Sequence, residues 1–326
     1  MMILGDCINE LAKMDANSIH SIVTDPPYGI GFLGEKWDSD VPAADIWAEC
    51  LRVLKPGGFL VSFAATRTQH RMAVALEDAG FELRDTLMWL FNTGFPRSQD
   101  ISKRIDKELG MQREQIRVPF SEARIVLRGN GKVDIPGSTR PWLDNARKRG
   151  YHEKDGGIPV SELAKKYHGW GTALKPAYEP ILLCRKPIEG TVAGNTIKHG
   201  TGGLNIAACK TDDDKWPTNI LHDGTIFAAG TTESRIFSRP KASKADRDDD
   251  VGNLHPTVKP TSLMRWLIRL TTDVDGVVLD PFAGSGSTGK AAILEHRKFI
   301  GIEKNAEYCT MAKARLQKTR ENMPLL

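Results

Sequence analysis

The strongest constraint on the fold is an alternation of β-rich and helical segments, which occurs at both ends of the chain and is interrupted between them. Strands that alternate with helices are typical of a parallel α/β sheet. The simplest arrangement is one sheet that is built from both chain ends, with the middle of the chain as an insertion. The predicted strands are 2–4, 19–24, 59–64, 86–91, 178–184, 277–279 and 299–302.

The 326 residues suffice for one large domain or two modest ones. We predict that residues 1–91 form the first half of the sheet domain and residues 254–326 the second half. The insertion, residues 92–253, is rich in Gly, Pro, Arg and Lys and returns one strand to the sheet near 178–184.

The composition excludes several classes of protein. With 40% hydrophobic and 26% charged residues, the chain is typical of a soluble globular protein rather than a disordered or collagenous one. No apolar run approaches the roughly 20 residues of a membrane helix, and the amino terminus lacks the basic start of a signal peptide. The five cysteines include no CxxC pair, which disfavours a disulfide framework and a zinc site. We therefore expect a cytoplasmic protein without a bound metal.

The net charge of +4 is unevenly distributed. Residues 97–186 contain 19 Lys and Arg against 11 Asp and Glu, so the remainder of the chain is mildly acidic. A basic segment of this kind suggests a polyanionic partner such as nucleic acid, although a plain solvated surface has the same signature. The charge alone does not decide between them.

A glycine-rich loop, Gly284-Ser285-Gly286-Ser287-Thr288-Gly289-Lys290, lies between a predicted strand and a helix predicted over 290–295. Its GxGxxG spacing, with Glu303 at the distance of a ribose-binding acid, is typical of a dinucleotide site. It also matches a phosphate loop, but Ala291 stands where that loop needs Ser or Thr to hold Mg²⁺. Asp280 would repel a phosphate and instead suits S-adenosylmethionine (SAM), which is cationic and lacks phosphate. All three interpretations stay open at this point.

The segment Asp25-Pro26-Pro27-Tyr28 follows the predicted strand 19–24, and its two prolines make it a rigid loop. A tight turn with a packed tyrosine is one interpretation. The other is a site for an exocyclic base amine, which is a poor nucleophile because its lone pair is delocalised into the ring. The Asp25 carboxylate and the Pro26 carbonyl could hold its two hydrogens and favour a pyramidal nitrogen. Tyr28 could then stack on a base that has been flipped out of the duplex.

On these residues the chain resembles the bacterial and phage DNA amino-methyltransferases, which methylate adenine N6 or cytosine N4. The resemblance covers about residues 1–90 and 254–320. The catalytic motif precedes the SAM motif, as in the permuted β group of that family. The motifs are Thr24-Asp25-Pro26-Pro27-Tyr28, Trp37-Asp38, Arg52-Val53-Leu54-Lys55-Pro56-Gly57-Gly58, His255-Pro256-Thr257-Val258-Lys259-Pro260 and Leu279-Asp280-Pro281-Phe282-Ala283-Gly284-Ser285-Gly286-Ser287-Thr288.

The resemblance implies a Rossmann-like, SAM-dependent methyltransferase fold with an inserted basic region that recognises DNA. It implies that Lys259 pairs with the SAM carboxylate, that Glu303 holds the ribose hydroxyls and that Asp6 accepts from the adenine amino group. The implied catalytic residues are Asp25, Pro26, Pro27 and Tyr28. The implied cofactor-binding residues are Asp6, Cys7, Asp25, Thr257, Lys259, Asp280, Phe282, Ala283, Gly284, Ser285, Gly286, Ser287, Thr288, Glu303, Lys304 and Asn305.

The implied partner is double-stranded DNA, and the family also suggests a homodimer. Phosphate contacts from the insertion would make the affinity depend on salt. Phe95, Trp142 and Trp170 are candidates for stacking on bases or for plain packing. The expected DNA-binding residues are Arg97, Lys103, Arg104, Arg140, Arg147, Lys148 and Arg149, with Arg113, Arg117, Arg124 and Arg128 as further cations of the same segment.

In the family that the chain resembles, an Asp at the first catalytic position is commoner among adenine N6 enzymes, so Asp25 favours adenine N6 over cytosine N4 as the methylated atom. Two hypotheses from other classes stay open: a nicotinamide-dependent oxidoreductase and a catalytically silent DNA-binding protein. A third, within the same chemistry, is a methyltransferase that acts on RNA or on a protein amide.

Overall fold

The computed structural model describes residues 1–31, 36–91, 94, 98–119, 145, 148–210, 214–222, 242–243, 246 and 257–323. The chain forms two compact units. The first unit comprises Met1–Thr93 and Ala177–Leu326, and the second comprises Gly94–Pro176. The second unit is shorter than the predicted insertion, residues 92–253, because the chain joins the first unit again at Ala177.

The described residues form ten strands, two of which, β5 and β6, pair antiparallel in the second unit. The other eight form one sheet in the first unit. The strands are β1 (Met2–Leu4), β2 (Ile19–Thr24), β3 (Leu54–Phe63), β4 (Glu82–Leu90), β5 (Gln115–Pro119), β6 (Tyr151–Asp155), β7 (Tyr178–Arg185), β8 (Ile220–His222), β9 (Val277–Asp280) and β10 (Lys298–Glu303).

Nine helices and two short 3₁₀ turns, Lys36–Asp38 and Ala207–Cys209, complete the described elements. In that part of the chain, every helix is too short or too polar to cross a bilayer. The helices are α1 (Cys7–Leu11), α2 (Ala44–Val53), α3 (Gln69–Asp78), α4 (Ile101–Glu108), α5 (Glu162–Lys166), α6 (Val192–His199), α7 (Thr261–Thr271), α8 (Ser287–Leu294) and α9 (Ala306–Glu321).

The order of strands across the eight-stranded sheet is β1-β10-β9-β2-β3-β7-β4-β8. The two antiparallel pairings both involve β7, and the other five are parallel. The pairing of β2 with β9, in which Ile22 lies opposite Leu279, joins the two chain ends. The prediction of a mostly parallel α/β sheet assembled from both ends is therefore confirmed.

The core consists of two apolar clusters. Adjacent strand residues enter different clusters: Val23 packs in one and Ile22 in the other. This alternation is expected where side chains point to opposite faces of a sheet that is covered on both sides. Trp266 of α7 belongs to the first cluster and Trp47 of α2 to the second, and both are fully buried.

Two elements of the first unit were not predicted. Strand β8 pairs in parallel with β4 at the edge of the sheet. Helix α6 lacks an apolar stripe, and polar contacts hold it instead. The Thr191 side chain caps its amino end, and the buried Asn195 amide donates to the carbonyls of Pro56 and Thr201, at 2.9 and 2.8 Å. Helix α6 was not predicted because contacts such as that with Pro56 involve residues that are distant in sequence.

The second unit is organised around a buried ion pair. The Arg113 guanidinium donates to Asp106 Oδ2 at 2.7 Å and to the Ser102 hydroxyl at 2.7 Å. The Ser161 hydroxyl donates to Asp106 Oδ1, also at 2.7 Å. Arg113, Asp106 and Ser102 are all buried. This corrects the expectation that Arg113 contacts DNA, because its guanidinium is committed to the interior of the unit.

Helix α8 begins at Ser287, three residues before the predicted start, because Gly286 serves as its N-cap with φ of +75°. Gly284 also has a positive φ of +48°. The third glycine of the loop, Gly289, is already inside the helix and faces β10. A Cβ at this position would lie 2.5 Å from Cε1 of the buried Phe299 ring and 2.8 Å from Leu316 Cδ2.

We predict that Gly289→Ala destabilises the protein, although alanine normally favours a helix over glycine by about 1 kcal/mol. The added methyl overpacks the interface of α8 with β10 and should cost about 1–3 kcal/mol, measured by denaturant unfolding. In a Phe299→Leu background the cost should fall, since the ring that meets the methyl is gone. Strictly additive costs in this double-mutant cycle would contradict the packing argument.

Candidate active site

Four neighbouring parallel strands, β1, β10, β9 and β2, have their carboxyl ends side by side. These ends form the carboxyl edge of the sheet, which runs across the strands. Asp6, Glu303, Asp280 and Asp25 lie at or just beyond these ends. The two chain ends are in direct contact there, because the Thr24 hydroxyl donates to Asp280 Oδ1 at 2.7 Å. Four carboxylates therefore converge on one edge, the usual place for a ligand in an open α/β sheet.

A charged network surrounds the Asp-Pro-Pro-Tyr loop. The Tyr28 hydroxyl donates to Asp25 Oδ1 at 2.5 Å. Lys259 Nζ lies 3.0 Å from the same oxygen, donates to the Tyr28 hydroxyl at 2.9 Å and lies 3.1 Å from Glu179 Oε2. Its ammonium group also lies 4.7 Å from the centre of the Phe63 ring. Lys259 is only 8% exposed, and two carboxylates contact this one buried ammonium group.

All of these contacts use Oδ1 of Asp25. Among the described residues, none donates a hydrogen bond to Asp25 Oδ2. The side chain is only half-buried. An ionised carboxylate accepts through both oxygens, so Oδ2 keeps its capacity to bind a donor from a ligand.

The backbone of this loop is fixed from two sides. The buried Asp38 carboxylate accepts from the backbone N–H groups of Tyr28 and Gly29, at 2.5 and 3.0 Å. On the other side, the Thr68 hydroxyl donates to the Tyr28 carbonyl at 2.6 Å. Pro26, which is buried, and Pro27 restrict the remaining torsions. The backbone at Tyr28 is thus held by side chains from outside the tetrapeptide.

The network changes the acidity of its members. Burial raises the pKa of the Tyr28 phenol well above its usual range, and the Asp25 and Glu179 carboxylates add to this effect. Burial by itself would lower the pKa of Lys259, but the same two carboxylates outweigh it and raise that pKa. Tyr28 therefore stays neutral and Lys259 stays charged at neutral pH.

Asp280 is 2% exposed and accepts three hydrogen bonds. The donors are the hydroxyl groups of Thr24 and Thr288, at 2.7 and 2.6 Å, and the backbone N–H of Phe282, at 3.1 Å. Burial raises the pKa of Asp280 to about 6, although these donors act against the rise. Asp280 thus ties β2 to the start of α8. Its predicted contact with SAM stays a prediction.

Glu303 and Asp6 are more open. Glu303 is half-buried and accepts one backbone N–H on each oxygen, from Gly284 at 2.8 Å and from Asn305 at 2.7 Å. Asp6, at the start of α1, lies 3.1 Å from the exposed Lys304 ammonium. Both carboxylates can accept further bonds, which is the capacity needed to hold hydroxyl or amino groups of a ligand.

The remaining expected cofactor-binding residues lie at or near the same edge, most of them in or next to the glycine loop. Arg315, which is buried, donates to the Ser285 carbonyl at 3.1 Å and to the Ser287 hydroxyl at 3.0 Å, so it supports the glycine loop from below. Ala283, Ser285, Gly286, Ser287 and Thr288 are buried; Phe282 and Thr257 are half-buried. Phe282 contacts Trp47 edge to face, with ring centres 6.1 Å apart.

Cys7, at the start of α1, is half-buried. Burial raises the pKa of its thiol to about 11, so this thiol is neutral at neutral pH.

Sequence reasoning missed Glu179 as a site residue. Because β7 runs antiparallel to β3 and β4, its first residues lie at the edge where the parallel strands end. Asp38 was noted only as part of a motif, and its role in holding the Tyr28 backbone was not predicted. The motif Trp37-Asp38 was the available signal for Asp38. The sequence contains no comparable signal for Glu179, because the direction of its strand within the sheet cannot be inferred from the sequence.

Four of the expected DNA-binding residues lie in the described part of the second unit and are exposed: Lys103, Arg104, Lys148 and Arg149. Lys103 lies 3.2 Å from Asp155, and Arg104 donates to Glu108 at 3.0 Å. Arg97, Arg140 and Arg147 lie outside the described residues, as do Arg124, Arg128, Phe95 and Trp142. Trp170 is exposed and contacts Tyr167 edge to face. No cluster of His, Cys, Asp or Glu suited to a metal ion occurs among the residues described.

The chain is similar to known proteins over nearly its whole length. Residues 19–314 match the model of a family described as DNA methylase. The chain is 28% identical to Type II methyltransferase M.HindIII of Haemophilus influenzae, with 98% of this chain and 95% of that protein covered. It is 26% identical to DNA adenine methyltransferase YhdJ of Escherichia coli, with 97% and 82% covered. The crystal structure of the M1.HpyAVI–SAM complex has the same fold, with a TM-score of 0.50, 20% identity, and 97% and 98% of the two chains covered.

We predict that an alkaline absorbance titration of the folded protein contains a phenol that ionises well above the usual range of tyrosine, and that this phenol is that of Tyr28, because its pKa is raised. Tyr28→Phe should remove this component. Glu179→Gln should move it to lower pH, because one of the carboxylates that oppose formation of the phenolate is gone. Glu82→Gln, which alters a glutamate that pairs with Arg185 at the opposite edge of the sheet, is the matched control and should leave the component unchanged.

Proposed function

The chain belongs to the DNA methylase family, and we propose that it methylates the exocyclic N6 amine of an adenine in double-stranded DNA. The family resemblance found in the motifs is thereby confirmed, and with it SAM as the methyl donor. The contact between the two chain ends supports the choice of Asp25 and Tyr28 as catalytic residues. Thr24, which precedes Asp25, bonds Asp280, which lies just before the glycine loop.

The residues at the sheet edge suit SAM. Glu303 and Asp6 offer acceptors for hydroxyl and amino groups, and Gly284 and Gly286, which adopt positive φ angles, have no side chain that would keep a ligand from the loop backbone. When bound, SAM supplies an electrophilic methyl group. A pyrophosphate suits the loop less well, because the Gly284 N–H that would bind it already donates to the Glu303 carboxylate. This disfavours the oxidoreductase hypothesis.

Asp25 is the residue to which we assign the target amine. Its Oδ2 has acceptor capacity to spare, whereas Oδ1 is held by Tyr28 and Lys259. With the Pro26 carbonyl as the second acceptor, both amino hydrogens are bound, which directs the nitrogen lone pair away from the protein. The proton that the amine loses on methylation can be held at the Asp25 carboxylate.

Tyr28 and Lys259 complete the site. The Tyr28 ring offers a flat surface for a flipped base, and a base stacked on an aromatic side chain gains about 1–3 kcal/mol. Lys259 holds Asp25 in place through its ion pair, and Glu179 holds Lys259 in turn. The predicted pairing of Lys259 with the SAM carboxylate requires the ammonium group to leave or share these partners.

Cytosine N4 is the second candidate target, because its amine has the same chemistry and the family includes both kinds of enzyme. Adenine is favoured by Asp25 at the first catalytic position and by the relative whose name specifies adenine. We further propose that the residues which recognise the DNA sequence lie within 92–253, and that the protein acts in the cytoplasm, where bacterial DNA is found. A homodimer is an expectation from the family.

Asp25→Ala should reduce methyl transfer from labelled SAM to duplex DNA by at least about 100-fold, because one of the two acceptors for the amine is lost. SAM affinity, measured by calorimetry, should stay close to that of the unmodified protein. Asp45→Ala, which removes an exposed carboxylate in the first turn of α2, is the control and should retain activity. If the Asp25→Ala variant were as active as the unmodified protein, the assignment of the amine to Asp25 would be wrong.

The target base is tested by expressing the protein in a host without DNA methylation and mapping modified bases by single-molecule sequencing. We expect N6-methyladenine at one short recognition sequence. N4-methylcytosine in its place would establish the second candidate. Unmodified DNA, together with methyl transfer to RNA in vitro, would overturn the assignment of DNA as the substrate.

A further inference from the structure

We propose that Arg67, His70 and Arg71, at the start of helix α3, bind a phosphate group of the DNA backbone beside the flipped base. The proposal rests on the proposed function and extends it to a part of the chain outside the basic insertion. It places one set of DNA contacts in the first unit, next to the catalytic loop.

The site is an open cavity of about 370 Å³. Its walls are the backbone of the catalytic loop at Gly29 and Ile30 and the start of α3, and the described lining includes no acidic residue. Arg67, His70 and Arg71 are all exposed. The residues that line it are Gly29, Ile30, Arg67, Thr68, His70 and Arg71.

The charge of the two guanidinium groups is not balanced by any described side chain. Among the described residues, neither Arg67 nor Arg71 makes a side-chain hydrogen bond or an ion pair. Some other arginines of the first unit are engaged: Arg52 bonds Glu49 and two backbone carbonyls, and Arg185 pairs with Glu82. Two unpaired guanidiniums that line one cavity match a phosphodiester, which accepts hydrogen bonds from their planar donor groups.

The cavity is physically joined to the catalytic loop. Thr68, which lies between the two arginines in sequence, donates its hydroxyl to the carbonyl of Tyr28 at 2.6 Å. Gly29 and Ile30, which line the cavity, follow Tyr28 directly in the chain. A base that stacks on Tyr28 remains attached to a backbone with a phosphate on either side of its sugar. One of these phosphates therefore has to lie near the loop, where the arginines are.

The ligand is a phosphate rather than the base itself. A flipped base needs apolar or aromatic walls and a few hydrogen-bonding groups, whereas this cavity carries two arginines and a histidine. Contacts to phosphate position DNA without reading its sequence. The site should therefore strengthen binding to all duplexes and hold the flipped nucleotide in place, without altering the recognition sequence.

The test compares the Arg67→Ala/Arg71→Ala double variant with the unmodified protein. Affinity for a duplex with the recognition sequence is measured over a series of salt concentrations, alongside kcat and KM for DNA and the affinity for SAM. We expect the slope of log affinity against log salt to become shallower by about 1, because one phosphate contact on duplex DNA contributes about 0.9. KM for DNA should rise about tenfold or more, with SAM affinity unchanged.

A charge-matched control is Lys13→Ala/Arg84→Ala, which also removes two exposed cations of the first unit. It should keep the slope and KM of the unmodified protein. An unchanged slope in the Arg67→Ala/Arg71→Ala variant, or an equal change in the control, would overturn the site while leaving the proposed methyltransferase function intact. Conversely, if the unmodified protein binds duplex DNA through these arginines but transfers no methyl group, the site stands and the proposed function fails.

Discussion

The site depends on the parallel pairing of β2 with β9, which brings together residues that are more than 250 positions apart. Because both strands end at the same edge, Thr24 can donate to Asp280, and the loop that carries Asp25 lies beside the glycine loop. The apolar sequence of both strands drives this pairing, since Ile22 and Leu279 are fully buried in the same cluster. Every proposed contact of base and cofactor follows from this register.

The charged network around Lys259 is buried, and this burial makes its interactions strong. Charges removed from water interact strongly, and an unpaired charge there would be costly. Lys259 meets two carboxylates and the Tyr28 hydroxyl, so the network holds Asp25 Oδ1 fixed and leaves Oδ2 available. The Asp-Pro-Pro-Tyr loop is further held by Asp38 and Thr68. A rigid, preorganised acceptor is what the alignment of a weakly nucleophilic amine requires.

The structure shows partners for three residues that the sequence did not reveal. Lys259, which was expected to pair with the SAM carboxylate, contacts the Asp25 carboxylate, and Asp280, which was expected to contact SAM, accepts three hydrogen bonds from the protein. Both expected contacts with SAM stay predictions. Arg113 lies in a buried ion pair rather than on a DNA-binding surface. In each case the residue type was informative about chemistry, but its partners come from distant parts of the chain and could not be inferred from spacing.

The sequence by itself determined seven strands of the large sheet, the assembly of that sheet from both ends, and the two loops at the candidate site, because β-rich segments, prolines and glycines act locally on the backbone. Only the tertiary structure decided which side chains meet at that edge. Glu179 enters the site because β7 runs antiparallel, and Arg67 and Arg71 lie beside Tyr28 because Thr68 bonds its carbonyl. Strand direction and long-range contacts are set by the free energy of the whole packed molecule, which no local pattern records.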